Sequence, residues 1–202
     1  MKILMKTILF SLVLNSAFGV SFPQEDRKSF DAQSYLGFWY DVARTPNDFQ
    51  DNTPTRHGEE LGVCVNSTAE YSLRKADEIS LTNTCFRENE SGDFIKEDIT
   101  GRAKFVKGKN ATQLKIAFGG VIARFFQRLF TGGGADYWVY AVGEKNAEGL
   151  YSWAIVSGED KDYIFVLSRK PTLDSQTEND ILAALRRLEL PLEDLVFNRD
   201  LK

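Results

Sequence analysis

This chain is short of most of the residues that do chemistry. Its 202 residues include one histidine, His57, and two cysteines, Cys64 and Cys85. A single histidine cannot build a His-based catalytic or metal cluster, and no Cys, Asp or Glu spacing suggests zinc, so neither metal nor cofactor is expected. Positive charge is also scarce. Lys and Arg number 25 against 29 Asp and Glu, for a net charge of −4, and nothing in that balance attracts nucleic acid. Beyond the N-terminal stretch no segment approaches the roughly 20 apolar residues that a membrane-spanning helix requires. No internal repeat, low-complexity tract or linker interrupts the chain, whose length is about one domain's worth.

Residues Met1 to Gly19 have a basic start (Lys2, Lys6), an apolar stretch from Ile8 to Leu14, and a small-x-small ending at Ala17-Phe18-Gly19. That pattern predicts a signal peptide over 1–19 and a single domain over 20–202. Its removal takes away two lysines and no acids, which moves the net charge to −6. The expectation is an exported protein, periplasmic in a bacterium and secreted from a eukaryote. With no cysteine near the cleavage point, it is not expected to be lipid-anchored. In an oxidising compartment a Cys64–Cys85 disulfide is the expected state, with free thiols as the alternative. Three sequons, at Asn66, Asn89 and Asn110, matter only in a eukaryotic host.

The rest is mostly short alternating segments separated by polar turns, the pattern of an antiparallel β-protein. Eight strands are predicted: Phe38 to Arg44, Val63 to Leu73, Ile79 to Arg87, Ile95 to Val106, Gln113 to Phe118, Tyr137 to Val142, Tyr151 to Ser157 and Tyr163 to Arg169. In the second, Val63, Val65, Ala69, Tyr71 and Leu73 share one face and Asn66, Thr68, Glu70 and Ser72 the other. Such a sheet must close into a barrel or pack on a second sheet, and pattern alone leaves both open. Near the C-terminus the period lengthens to about 3.6. Ser175 stands at capping-box spacing from Glu178, Ile181, Leu185 and Leu188 form a stripe, and Pro191 stops the run, which predicts a helix lying on the outside of the sheet.

Two segments resemble a known family. Phe30 to Arg44, with Gly37-x-Trp39, is similar to the first signature of the lipocalins, and Tyr163 to Thr172, with Arg169, to their final-strand signature. Ala69 to Leu73 and Ile79 to Asn83 resemble the second and third strands of the bacterial lipocalin and apolipoprotein D branch. The likeness spans about Phe30 to Phe197. One departure is Val142-Gly143-Glu144, where the family carries a Thr-Asp-Tyr-like run, so the turn there is left open. The resemblance implies an all-β fold, an eight-stranded antiparallel up-and-down barrel with a C-terminal α-helix packed outside. It implies that Trp39 plugs the closed end, that Arg169 lies over the indole, and that Gly37 lets the entering segment pass close.

An eight-stranded barrel has room for one small ligand. Counted inward from the matched strands, the cavity wall comprises Asp41, Ala43, Ala69, Tyr71, Leu81, Asn83, Ile99, Ile116, Phe118, Val139, Phe165 and Leu167. The implied function is non-enzymatic: lipid binding, storage or transport, with a fatty acid, lysophospholipid or other lipophilic partner and a link to membrane lipid maintenance. Asp41, Tyr71 and Asn83 either orient a ligand's polar end or are satisfied structurally. The stretch Val121 to Phe130 is longer than a hairpin needs. It is expected either to form an amphipathic lid, with Phe125, Phe126 and Phe130 meeting ligand or membrane and Arg124 and Arg128 meeting phosphate, or to fold back on its own barrel. Strand parity puts Cys85 inward and Cys64 outward, so bonding them requires a bulge before Val65 or thereabouts. Two rivals stand beside this reading. One is a lipid-acting enzyme, such as an isomerase, using Asp41, Cys85 or the tyrosines. The other is an outer-membrane barrel, which would be apolar outside and polar inside.

Overall fold

The structure, a computed structural model, describes residues 30–106, 112–118 and 135–200. The predicted signal peptide over 1–19 and the stretch Val121 to Phe130 lie outside the described residues.

Eight antiparallel strands close into a barrel. They are β1 (Gly37–Arg44), β4 (Val65–Lys75), β5 (Glu78–Glu88), β6 (Phe94–Phe105), β7 (Gln113–Phe118), β8 (Ala135–Val142), β9 (Trp153–Ser157) and β10 (Ile164–Ser168). Each pairs with its chain neighbour, and β10 returns to β1 with Asp41 opposite Leu167. A two-stranded hairpin, β2 (Thr55–Arg56) and β3 (Glu59–Glu60), stands in the connection between β1 and β4. A final short strand, β11 (Val196–Phe197), pairs with the distal half of β1. Two one-turn helices, α1 (Ala32–Tyr35) and α2 (Asp48–Asp51), flank β1.

Strand alternation sorts the side chains. Trp39, Ala69, Tyr71, Leu81, Ile116 and Val156 face the axis in one core cluster. The outward positions of the middle strands, Glu70, Lys96, Asp98, Arg102 and Lys104, are exposed. This polarity is the reverse of a barrel that faces lipid. On the opposite side the outer face is apolar too, because it carries the helix α3 (Ser175–Arg187): Ile181, Ala184 and Leu185 are fully buried against Val42, Tyr140, Ile155 and Val166.

The helix is capped one residue earlier than its sequence suggests. Asp174 is the N-cap and accepts from the Thr177 N–H at 2.9 Å, so Ser175 and Glu178 form no capping box. Glu178 pairs instead with Arg199 at 2.6 Å. The helix ends before Pro191, where Glu189 takes a left-handed φ of 53° and the Leu190 N–H returns to the Leu185 carbonyl.

Bulges decide the remaining parity. Between Val65 and Thr68, β4 holds an extra residue against β5, with Asn66 at φ 52°, a conformation asparagine tolerates better than most. The offset swings Cys64 toward Cys85, and the two form a disulfide with Cα atoms 5.6 Å apart. A second bulge, between Asp41 and Ala43 of β1, corrects the predicted wall: Val42 and Ala43 both turn outward beneath α3, and Ala43 is not a cavity residue.

Candidate functional site

The lower half of the barrel is solid. Trp39 is wholly buried there, its Nε1 donating to the Tyr35 carbonyl at 2.8 Å. The Arg169 guanidinium lies 3.5 Å from the centre of the indole and donates to the carbonyls of Ser34, Tyr35, Leu36, Phe38 and Tyr151. Burial pulls Arg169 down to about 10, so it stays charged at neutral pH. Gly37 adopts φ 94°, and a Cβ there would stand 3.4 Å from an Arg169 nitrogen, so both the backbone and the close approach favour glycine. At the departure from the family pattern, a Cβ on Gly143 would fall 2.5 Å from the Trp153 Nε1, which accounts for the glycine in that turn.

Above the plug, the hydroxyls of Tyr35, Tyr137 and Tyr71 form a chain, Tyr35 to Tyr137 at 2.5 Å and Tyr137 to Tyr71 at 2.9 Å. Desolvation pushes Tyr35 and Tyr137 well above the usual phenol range and Tyr71 up to about 12.

The upper half is hollow. A cavity of about 150 Å³ opens at the end where β1 stops and β4 begins. Its wall brings together nine of the twelve predicted residues: Asp41, Ala69, Tyr71, Asn83, Ile99, Ile116, Phe118, Phe165 and Leu167. Leu81 and Val139 also face the axis, but they lie in the packed inner core and are not part of the cavity wall. Aromatic bulk fills that end of the barrel, a matter of volume that strand alternation does not report.

Part of the wall comes from residues that sequence reasoning missed. Phe49 and Gln50, on α2 at the mouth, line the cavity, and Phe49 packs on Phe165 with ring centres 5.9 Å apart. The Asn47 cap that starts α2 is a local signal, but its placement over the mouth is tertiary. Arg87 fixes it: the buried guanidinium donates to the carbonyls of Phe49, Gln50, Asn52 and Gly62 and pairs with Glu97 at 2.8 Å. Arg44, turned inward by the bulge, adds a 2.7 Å pair with Asp51 of the same turn.

Asp41 is a strongly perturbed group of the wall. It is buried, and desolvation raises its carboxyl from 3.8 to about 7 against the opposing pull of the Gln50 amide and Arg44. Gln50 Nε2 donates to its Oδ2 at 3.1 Å and to Ser67 Oγ at 3.0 Å. Asp41 Oδ1 and, across β4, Asn83 Oδ1 are buried without a hydrogen-bond partner among the described residues.

A sheet closed on itself, sealed at one end and hollow at the other with a largely apolar lining, defines the class of up-and-down barrels that enclose an internal cavity. The profile described as Lipocalin-like domain matches residues 30–198, and the chain belongs to the lipocalin family, in the branch that holds the bacterial Blc proteins and apolipoprotein D. It is 33% identical over 167 residues to the outer membrane lipoprotein Blc of Vibrio cholerae, a match covering 83% of this chain and 81% of that protein. Apolipoprotein D of Macaca fascicularis is 28% identical over 152 residues, 75% of this chain and 67% of its own length. Among solved structures, lobster apocrustacyanin A1 superposes with a TM-score of 0.54 at 17% identity, covering 90% of each chain, a likeness of fold alone.

Proposed function

We propose that this protein binds a single-chain lipid, of the fatty acid or lysophospholipid class, in the hollow half of its barrel and stores or carries it in an exported compartment, with a link to membrane lipid maintenance. The observation that carries the reading is the cavity itself: a mostly apolar hollow held open above a packed floor. Burying an alkyl chain there gains roughly 0.8 kcal/mol per methylene, so a chain of about fifteen carbons gains about 12 kcal/mol, and after an association cost of about 4 kcal/mol roughly 8 kcal/mol is left, which is micromolar binding. Membership of the family, and relatives named lipoprotein and apolipoprotein, support it. The nine wall residues are the proposed ligand contacts, with Phe49 and Gln50 added.

Binding rather than catalysis is the role we assign. Of the groups a lipid-acting enzyme would need, Cys85 is held in a disulfide and the tyrosine hydroxyls are made weaker acids by burial, which leaves Asp41 as the one candidate acid or base. Both cysteines are spent on each other, and the expectation of a protein without a lipid anchor differs from what the name lipoprotein says of Blc.

The test is occlusion. Ile99 faces the cavity and is only half-buried, so Ile99→Trp fills the hollow without entering the floor. The variant is expected to keep its thermal midpoint and to lose at least about tenfold in affinity for a fluorescent single-chain fatty acid. Undiminished binding by the folded variant would place the ligand elsewhere and refute the reading.

A further inference from the structure

The donors and acceptors of the cavity wall are out of balance. The wall's Arg87 guanidinium is engaged by backbone carbonyls and Glu97, and the Gln50 amide by Asp41 and Ser67. Ser67 spends its own proton on the Cys64 sulfur, which carries none in the disulfide. Thr84 donates to Asp98, and Tyr163 to the Asp136 carbonyl. Among the acceptors left over are two on either side of β4. Asp41 Oδ1 and Asn83 Oδ1 are both buried, both on residues that line the hollow, and neither has a donor among the described residues. A buried acceptor without a donor costs free energy that a ligand recovers by supplying the proton.

Resting on the reading above that a single-chain lipid fills the hollow, and narrowing its head group away from the fatty acid, we propose that Asp41 and Asn83 are specificity-determining residues that select a single-chain lipid whose head donates through hydroxyl groups, a glycerol monoester or long-chain alcohol, over one that presents a carboxylate. A carboxylate brings no proton to either oxygen and meets Asp41 as a like charge, so the Asn83 amide N–H is the one donor the two residues hold out to it. A glycerol monoester brings two hydroxyl protons and no charge. The two classes share the same alkyl chain, so the apolar wall does not discriminate between them and the acceptor pair decides.

The experiment is isothermal titration of the delipidated, disulfide-intact protein at pH 7.5 with 1-monolauroylglycerol, dodecanol and laurate, each below its micelle threshold. The wild type is expected to bind the monoester at least about tenfold more tightly than laurate. Asp41→Asn, which keeps an acceptor and adds a donor, is expected to bring the two within about threefold, chiefly by improved laurate binding. Asn83→Leu is expected to weaken the monoester about tenfold and leave laurate unchanged. Laurate binding as tightly as the monoester in the wild type overturns the selection and leaves the lipid-binding reading standing. Failure of all three lipids to bind overturns both. Should Asp41→Asn not fold, the wild-type ratio and Asn83→Leu still decide.

Discussion

Replacing Asp41 by asparagine should change how stability depends on pH. A carboxyl whose folded pKa is about 7 and whose unfolded pKa is 3.8 holds its proton more tightly in the native state. Unfolding therefore releases that proton between these values, and native stability falls as pH rises through the window, levelling off above 7. The full loss is about 4 kcal/mol, of which about 3 kcal/mol falls between pH 5 and pH 8. The residue is buried, with Gln50 the donor to its Oδ2 and Arg44 and Asp51 the nearby charges, so solvent screens this little. Asparagine keeps the shape and can accept the same Gln50 hydrogen bond, but it has no charge to lose. Urea unfolding of both proteins at pH 5 and pH 8 should show the variant gaining about 3 kcal/mol on the wild type across that interval. Every other titrating group contributes equally to the two and cancels. Parallel stability profiles would mean that Asp41 titrates normally in the folded state and that desolvation at the mouth is small.

Two further outcomes follow from the devices that close the mouth. Cys64 and Cys85 are 21 residues apart, so Cys64→Ser with Cys85→Ser should cost about 3 kcal/mol by loop entropy, read as a lower urea midpoint that matches the reduced wild type. A loss below about 1 kcal/mol would point to a denatured state that the bridge scarcely constrains. Arg87→Met should cost at least about 3 kcal/mol and speed release of bound fluorescent lipid in stopped flow, because four carbonyls lose a charged donor and Glu97 loses its partner. Unchanged release from a folded variant would show that the α2 segment does not gate the cavity.

Alternation along β4 to β10 predicted the strands to within two residues at most ends, because a two-residue period reports directly which side chains leave water. The same alternation located nine cavity residues, and the Cys64–Cys85 parity even called for the bulge that the structure places after Val65. It failed at Ala43, where the second bulge reverses the face of β1, and at Leu81 and Val139, where facing the axis was not the same as facing the hollow. A bulge is one extra residue against a partner strand, so it is a property of two strands and leaves no mark in either one read alone.

The amino-acid order by itself determined what is periodic or local: the strands, the outside helix, and the Trp39 and Arg169 pair that sets the family. Only the tertiary structure decided where the barrel is filled and where it is empty. It also decided that α2 roofs the mouth through Arg87, and that Asp41 and Asn83 are left holding oxygens without protons. Those are sums over side chains from strands far apart in sequence, and volume and hydrogen-bond balance exist only once the strands have closed on one another.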